Sequence, residues 1–307
     1  MHRGASQGQQ TLVFVATHKK RVGPFLKWAG GKGHLLRQIL PFVPEEISHY
    51  HEPFLGGGAL FFAARGKSAK FKAFLSDVNS ELINAYMIVK KEPTELLHYL
   101  VRLQKQFLAS NREKYYYEIR KWEPTASVES AARFIFLNKT CYNGLYRVNS
   151  QGHFNVPFSR SKKPGIFNED NIRSVSQALN DCDAQLNVID YKEAIANCRK
   201  GDFVYLDPPY DPSTKTSGFT DYTVDGFTDV DHRELAELFA KLSDRGCLVL
   251  LSNSDTPLTR KLYRNYWFSS IEVNRPISCN GKKRRGFREL IVASHSPNGD
   301  VKVAPYP

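Results

Sequence analysis

The chain has 307 residues, 41% of them hydrophobic and 12% aromatic, enough to bury a sizeable core in one large domain or two. Its 43 Lys and Arg against 31 Asp and Glu give a formal charge of +12, which favours a polyanionic partner without identifying it. Five scattered cysteines (Cys141, Cys182, Cys198, Cys247, Cys279) form no C-x-x-C pair, which argues against a zinc site or a disulfide framework and fits a reducing cytoplasm.

In chain order, residues 1–22 are Gly/Gln-rich and then basic, and they predict a mobile extension whose Lys19, Lys20 and Arg21 lie near phosphate. The apolar run Leu12 to Ala16 is too short for a membrane span or a signal segment, so no membrane partner is expected. From Gly23 short apolar segments such as 71–75 and 247–251 alternate with helical patterns, which predicts parallel strands with crossover helices. Between 80 and 167 the pattern changes to helices rich in Leu, Tyr, Arg and Lys. A segment of alternating polarity follows around Ser150-Gln151-Gly152, the pattern of an inserted domain ending in a β-hairpin. The fold class is therefore α/β, with a catalytic domain of 23–79 and 168–307 interrupted by the insertion at 80–167.

Two glycine clusters, FLKWAGGK at 25–32 and EPFLGGGAL at 52–60, would let backbone approach a ligand. The first is no phosphate-binding P-loop, because Leu26 stands where the leading glycine belongs and Gly33, not Ser or Thr, follows Lys32. The second departs from the dinucleotide fingerprint at Phe61. Asp77 nevertheless follows the next expected strand, where a ribose-binding carboxylate belongs. A nucleoside site without a pyrophosphate grip suits S-adenosylmethionine, whose ribose fits Asp77 and whose carboxylate fits Lys32.

The run Asp202–Leu206 predicts a buried strand, and Asp207-Pro208-Pro209-Tyr210 follows at its end. Consecutive prolines remove two backbone donors and expose carbonyl acceptors between a carboxylate and an aromatic face. An exocyclic amine could give its two N–H groups to Asp207 and the Pro208 carbonyl while its ring stacks on Tyr210. Such contacts would favour a pyramidal nitrogen during direct transfer, with no metal and no covalent enzyme intermediate required.

These blocks resemble the Dam-type DNA adenine-N6 methyltransferases that act on GATC. FLKWAGGK is similar to that family's cofactor block, EPFLGGGALFF (52–62) to its glycine loop and DPPY to its catalytic motif. Their order is similar to the class with its target-recognition domain between the glycine loop and DPPY. Further agreement lies in LSDVNSELINAY (75–86), LNKTCYNGLYRVNSQGHFNVPFSRSKKP (137–164), GFTDYTVDGF (218–227) and LSNSD (251–255).

The resemblance implies a doubly wound, Rossmann-like mixed sheet with a helical recognition insertion. It implies that Trp28, Lys32, Phe54, Gly56, Gly58, Asp77, Asp190, Tyr191 and Asp207 hold S-adenosylmethionine. On the DNA side it implies that Arg147 and Lys27 read guanine, that Asn143 enters the stack vacated by a flipped adenine, and that Leu145 and Pro157 touch bases. Asn149, Asn155 and Arg160 are its implied phosphate contacts, to which Lys162, Lys163 and the run 282–285 would add charge. Ser159 and Ser161 depart from the Gly and Tyr often found beside Arg160, and Thr140 and Cys141 depart at positions that vary in the family. A monomer acting on double-stranded DNA at the nucleoid is expected. Methylation of cytosine N4 or of an RNA adenine, and a non-catalytic cofactor-binding DNA regulator, are the competing readings.

Overall fold

Strands arise where short apolar runs alternate between two buried faces. In the strand Phe203–Leu206, all four residues are buried. Phe203 and Tyr205 enter one core cluster and Val204 and Leu206 the other. This double burial explains the unbroken apolar run that marks a central parallel strand. The computed structural model describes residues 22–68, 70–160, 165–210, 227–273 and 287–297. The expectations for 1–21, for Lys162 and Lys163, for 218–226 and for 282–285 lie outside the described residues.

The first half of the chain gives α1 (Leu36–Ile39), β1 (His49–Glu52), α2 (Ala59–Lys67), β2 (Lys72–Asp77), α3 (Ser80–Lys91), α4 (Pro93–Ala109), α5 (Arg112–Lys121) and α6 (Ser127–Thr140). The second gives α7 (Glu169–Asp181), β3 (Gln185–Val188), α8 (Tyr191–Ala194), β4 (Phe203–Leu206), α9 (Asp229–Asp244), β5 (Leu248–Ser254), α10 (Pro257–Leu262), β6 (Trp267–Val273) and β7 (Phe287–Ala293). The sheet order is β3-β2-β1-β4-β5-β7-β6. β1 pairs in parallel with both β2 and β4, while β7 runs antiparallel between β5 and β6. The strand order therefore reverses between β1 and β4, and a crevice opens beyond their carboxyl ends, where open α/β sheets bind ligands.

Helix starts follow local chemistry. Asn79 accepts from Leu82 N at 3.0 Å to cap α3, and Asn168 accepts from Asn171 N at 2.9 Å to cap α7. Thr228 and Asp231 form a capping box on α9. α3 packs on β2, β3 and α7 and also on α6, so α4 to α6 share a continuous apolar cluster with the sheet. Among the described residues, no helix is long and apolar enough to cross a membrane.

After α6 the chain forms a ribbon with two isolated antiparallel bridges, Cys141↔Phe158 and Val148↔Phe154. Long ladders fail for local reasons. Asn143 and Gly144 adopt left-handed conformations (φ 55° and 66°), and Pro157 has no N–H to donate. The ribbon closes on a turn in which Asn149 Oδ1 accepts from Gln151 N and His153 N, at 3.0 and 2.9 Å.

Candidate active site

The crevice is built from three strand ends. β1 delivers Glu52 and then the glycine loop. Gly56 has φ +44°, and a Cβ there would lie 2.6 Å from Trp28 Cδ1, so only glycine lets the loop pass the indole. Asp77 ends β2 and braces this loop: Oδ2 accepts from Gly56 N at 3.1 Å and Oδ1 from Asn79 N at 3.0 Å. Burial raises the Asp77 pKa, and these backbone donors oppose the rise. Tyr86 donates to Gly56 O at 3.2 Å, close under Gly58, which is also left-handed.

On the other side of the loop Phe54 stacks on Tyr191, with ring centroids 5.0 Å apart. Tyr191 is buried, and among the described residues its hydroxyl has no hydrogen-bond partner. Asp190 caps α8 by accepting from Lys192 N at 2.9 Å.

At the end of β4, Asp207 Oδ1 pairs with Lys32 Nζ at 2.7 Å and accepts from Ser252 Oγ at 2.8 Å. Ser252 is itself 2.8 Å from the Tyr205 hydroxyl. Burial pushes the Asp207 pKa up, opposed by Lys32 and Ser252. Lys32 is 3% exposed, donates to Gly30 O at 2.6 Å and lies 4.5 Å from the centroid of the Tyr210 ring. Tyr210 donates its hydroxyl to Glu289 Oε2 at 2.7 Å, and Glu289 Oε1 lies 3.6 Å from His34 Nε2. Beneath Asp207, Glu52 accepts from Tyr50 at 2.7 Å. Burial lifts the Glu52 carboxyl to about 8, with the Tyr50 bond opposing and nearby Asp207 reinforcing the shift.

The sequence-selected residues Lys32, Asp207 and Tyr210 thus meet, as do Trp28 with Gly56 and Phe54 with Tyr191. Lys32, expected to face a ligand carboxylate, gives its charge to Asp207. Glu52, Ser252, Glu289 and His34 were not singled out. Glu52 and Ser252 lie inside the blocks 52–62 and 251–255 and could have been found there. Glu289, in β7, carries no local signal.

The ribbon rests against the same crevice. Buried Asn138 accepts from Lys27 N at 2.8 Å and donates to Lys27 O at 2.7 Å and to Gly144 O at 3.3 Å. A Cβ on Gly144 would lie 2.5 Å from Lys27 Cβ, which fixes this close approach. Trp28 stacks on Tyr146 with centroids 6.0 Å apart. Arg147 and Asn143 are exposed, and Arg147 Nε donates to Asn155 Oδ1 at 2.6 Å. Leu145 is half-buried, and Pro157 and Arg160 are exposed. Asn149 and Asn155, expected at phosphates, use their side-chain oxygens inside the ribbon.

The sheet order, the glycine loop at its reversal point and the acceptor cluster at the end of β4 define a Rossmann-like methyltransferase. Residues 28–277 match the D12 class N6 adenine-specific DNA methyltransferases, and the chain belongs to that family. It is similar to a type II methyltransferase of Lactococcus lactis subsp. cremoris, at 39% identity over 92% of this chain and 99% of the relative. A type II methyltransferase of Methanocaldococcus jannaschii is 40% identical over 89% of this chain and 99% of its own length. The DNA adenine methylase of Escherichia coli (strain K12) is 36% identical over 89% and 95%.

Proposed function

We propose that this DNA adenine methyltransferase acts on the N6 of a flipped-out adenine within double-stranded GATC, with 80–167 as its recognition domain. Family membership implies S-adenosylmethionine as donor. The cradle fits that group: a glycine loop that a Cβ would block, an Asp77 carboxylate at its lip and the Phe54–Tyr191 pair beside it. Trp28, Lys32, Gly56, Gly58, Asp77, Asp190 and Tyr191 would surround it. When bound, S-adenosylmethionine supplies the electrophilic methyl group.

The chain's own part is orientation and charge. Removing the adenine from the duplex costs a few kcal/mol, and Tyr210 would receive its ring. Two donors already engage Asp207 Oδ1, so the amine proton falls to Oδ2, while the Pro208 carbonyl takes the second. These acceptors strengthen their hold as positive charge develops on nitrogen, which is where a fixed dipole accelerates the step. Pro209 keeps the turn rigid.

The observation that carries the sequence preference is the exposed Arg147 on a ribbon thin enough for the major groove. Its fork suits guanine O6 and N7. Lys27, clamped by Asn138 beside Gly144, would make a second guanine contact, with Leu145 and Pro157 against base edges and Asn149, Asn155 and Arg160 toward phosphate. Base-resolution modification mapping of plasmid DNA from a methylation-deficient host expressing the chain tests this. N6-methyladenine confined to GATC is expected; N4-methylcytosine, another sequence or modification of RNA alone overturns it.

A further inference from the structure

A second cluster of reactive side chains lies where β1 runs beside the start of β4. His51 of β1, Asp202 just before β4 and Cys198 in the loop between α8 and β4 each bring one ligand atom to within 4.8 Å of the others, and all three residues are buried. His51 Nε2 lies 3.4 Å from Asp202 Oδ2. That spacing is close to the edge of a tetrahedron built with zinc–ligand bonds of about 2.0–2.3 Å.

Two features set this cluster apart from an ordinary buried histidine. The His51 side chain is 9% exposed, yet among the described residues Nδ1 has no hydrogen-bond partner and Nε2 faces only the Asp202 carboxylate, at 3.4 Å. Such a group is costly unless something polar is seated on it. The ring and the carboxylate are also fixed. The imidazole stacks on Phe74 with centroids 4.7 Å apart and planes within 6°. Asp202 is oriented by His49 Nδ1 at 2.9 Å and by Arg199 N at 2.8 Å, the kind of outer contact that aims a metal ligand.

We propose that His51, Cys198 and Asp202 form a structural site for a zinc-class divalent ion, fastening β1 to the start of β4. A mixed imidazole, thiolate and carboxylate set suits a borderline-soft tetrahedral ion and disfavours magnesium and calcium, which take oxygen alone. Binding deprotonates Cys198 and releases that proton to solvent, and water completes the fourth position. No step of methyl transfer passes through this ion. The ligands come from segments far apart in sequence, which is why the absence of C-x-x-C gave the opposite expectation.

The test loads the full-length protein with zinc, removes excess by gel filtration and measures bound metal. About one ion per chain is expected, with sulfur among its neighbours by X-ray absorption and, after exchange to cobalt, a thiolate charge-transfer band in the near ultraviolet. Cys198→Ser should abolish the band and His51→Asn should cut occupancy at least about tenfold, whereas Cys182→Ser, at a buried thiol outside the cluster, should change neither. The absorption measurement on the unmodified protein decides the matter even if the variants fold poorly. Fewer than about one ion per ten chains, zinc without a sulfur neighbour, or a band that survives Cys198→Ser overturns the site.

Discussion

Asp207 has one oxygen committed to Lys32 and Ser252, so the catalytic contribution proposed for it rests on the other. Asp207→Ala is expected to lose about 10²–10³ in turnover, as loss of one preorganised electrostatic contact does, while retaining DNA binding. Single-turnover methylation reads this directly; a near-normal rate refutes the role. Glu289 holds Tyr210 in place by accepting a hydrogen bond from its hydroxyl. Glu289→Ala should lower kcat about 10- to 100-fold with little change in KM for DNA, and Glu289→Gln should recover most of it by keeping an acceptor. Fluorescence of 2-aminopurine at the target position should rise in the alanine variant as stacking on Tyr210 loosens. Glu52 gives a pH signature. Its folded pKa of about 8 exceeds the ordinary 4.5, so between those values the folded chain holds a proton that the unfolded chain has released. Stability therefore falls as pH rises through that window, by up to about 1.4 kcal/mol per unit. Thermal unfolding from pH 5 to 8.5 should show the decline, and Glu52→Gln should flatten it.

At the scale of elements, the glycine loop is the most constrained segment of the crevice. Gly56→Ala must accept a left-handed backbone, costing about 1–2 kcal/mol, and must also displace the Trp28 ring. Weaker S-adenosylmethionine binding by calorimetry, with a lower unfolding temperature, is the expected result; unchanged affinity means the indole yields freely. Much of this level was legible in the sequence. The apolar runs at 71–75, 202–206 and 247–251 became β2, β4 and β5 because each is buried by its own neighbours in the sheet. Asp207 and Tyr210 were legible because the tetrapeptide holds both in one turn. Glu289 was not, since its partner Tyr210 lies 79 residues away in sequence and only the insertion of β7 beside β5 brings them together. The hairpin was legible in position but not in regularity: backbone handedness at Asn143 and Gly144 breaks a ladder that side-chain alternation alone suggests.

For the whole molecule, the charge of +12 supports phosphate contact, while a few residues would carry the reading. Arg147→Ala should reduce the preference for GATC over a site altered at the contacted guanine by roughly 1–3 kcal/mol. Arg160→Ala should weaken both sites alike and lower the slope of log K against log salt by about one. Competition binding at several salt concentrations separates the two; a selective loss in Arg160→Ala would reverse the assignment. The clamp of Asn138 on Lys27 and Gly144, with Trp28 lodged between the glycine loop and Tyr146, ties the proposed donor cradle to the proposed reading ribbon. Occupancy of either surface would then bias the other, and thermodynamic linkage makes any such bias reciprocal: the factor by which the methyl donor tightens DNA binding must equal the factor by which DNA tightens the donor. Loosening the clamp with Asn138→Ala should bring both factors toward unity together.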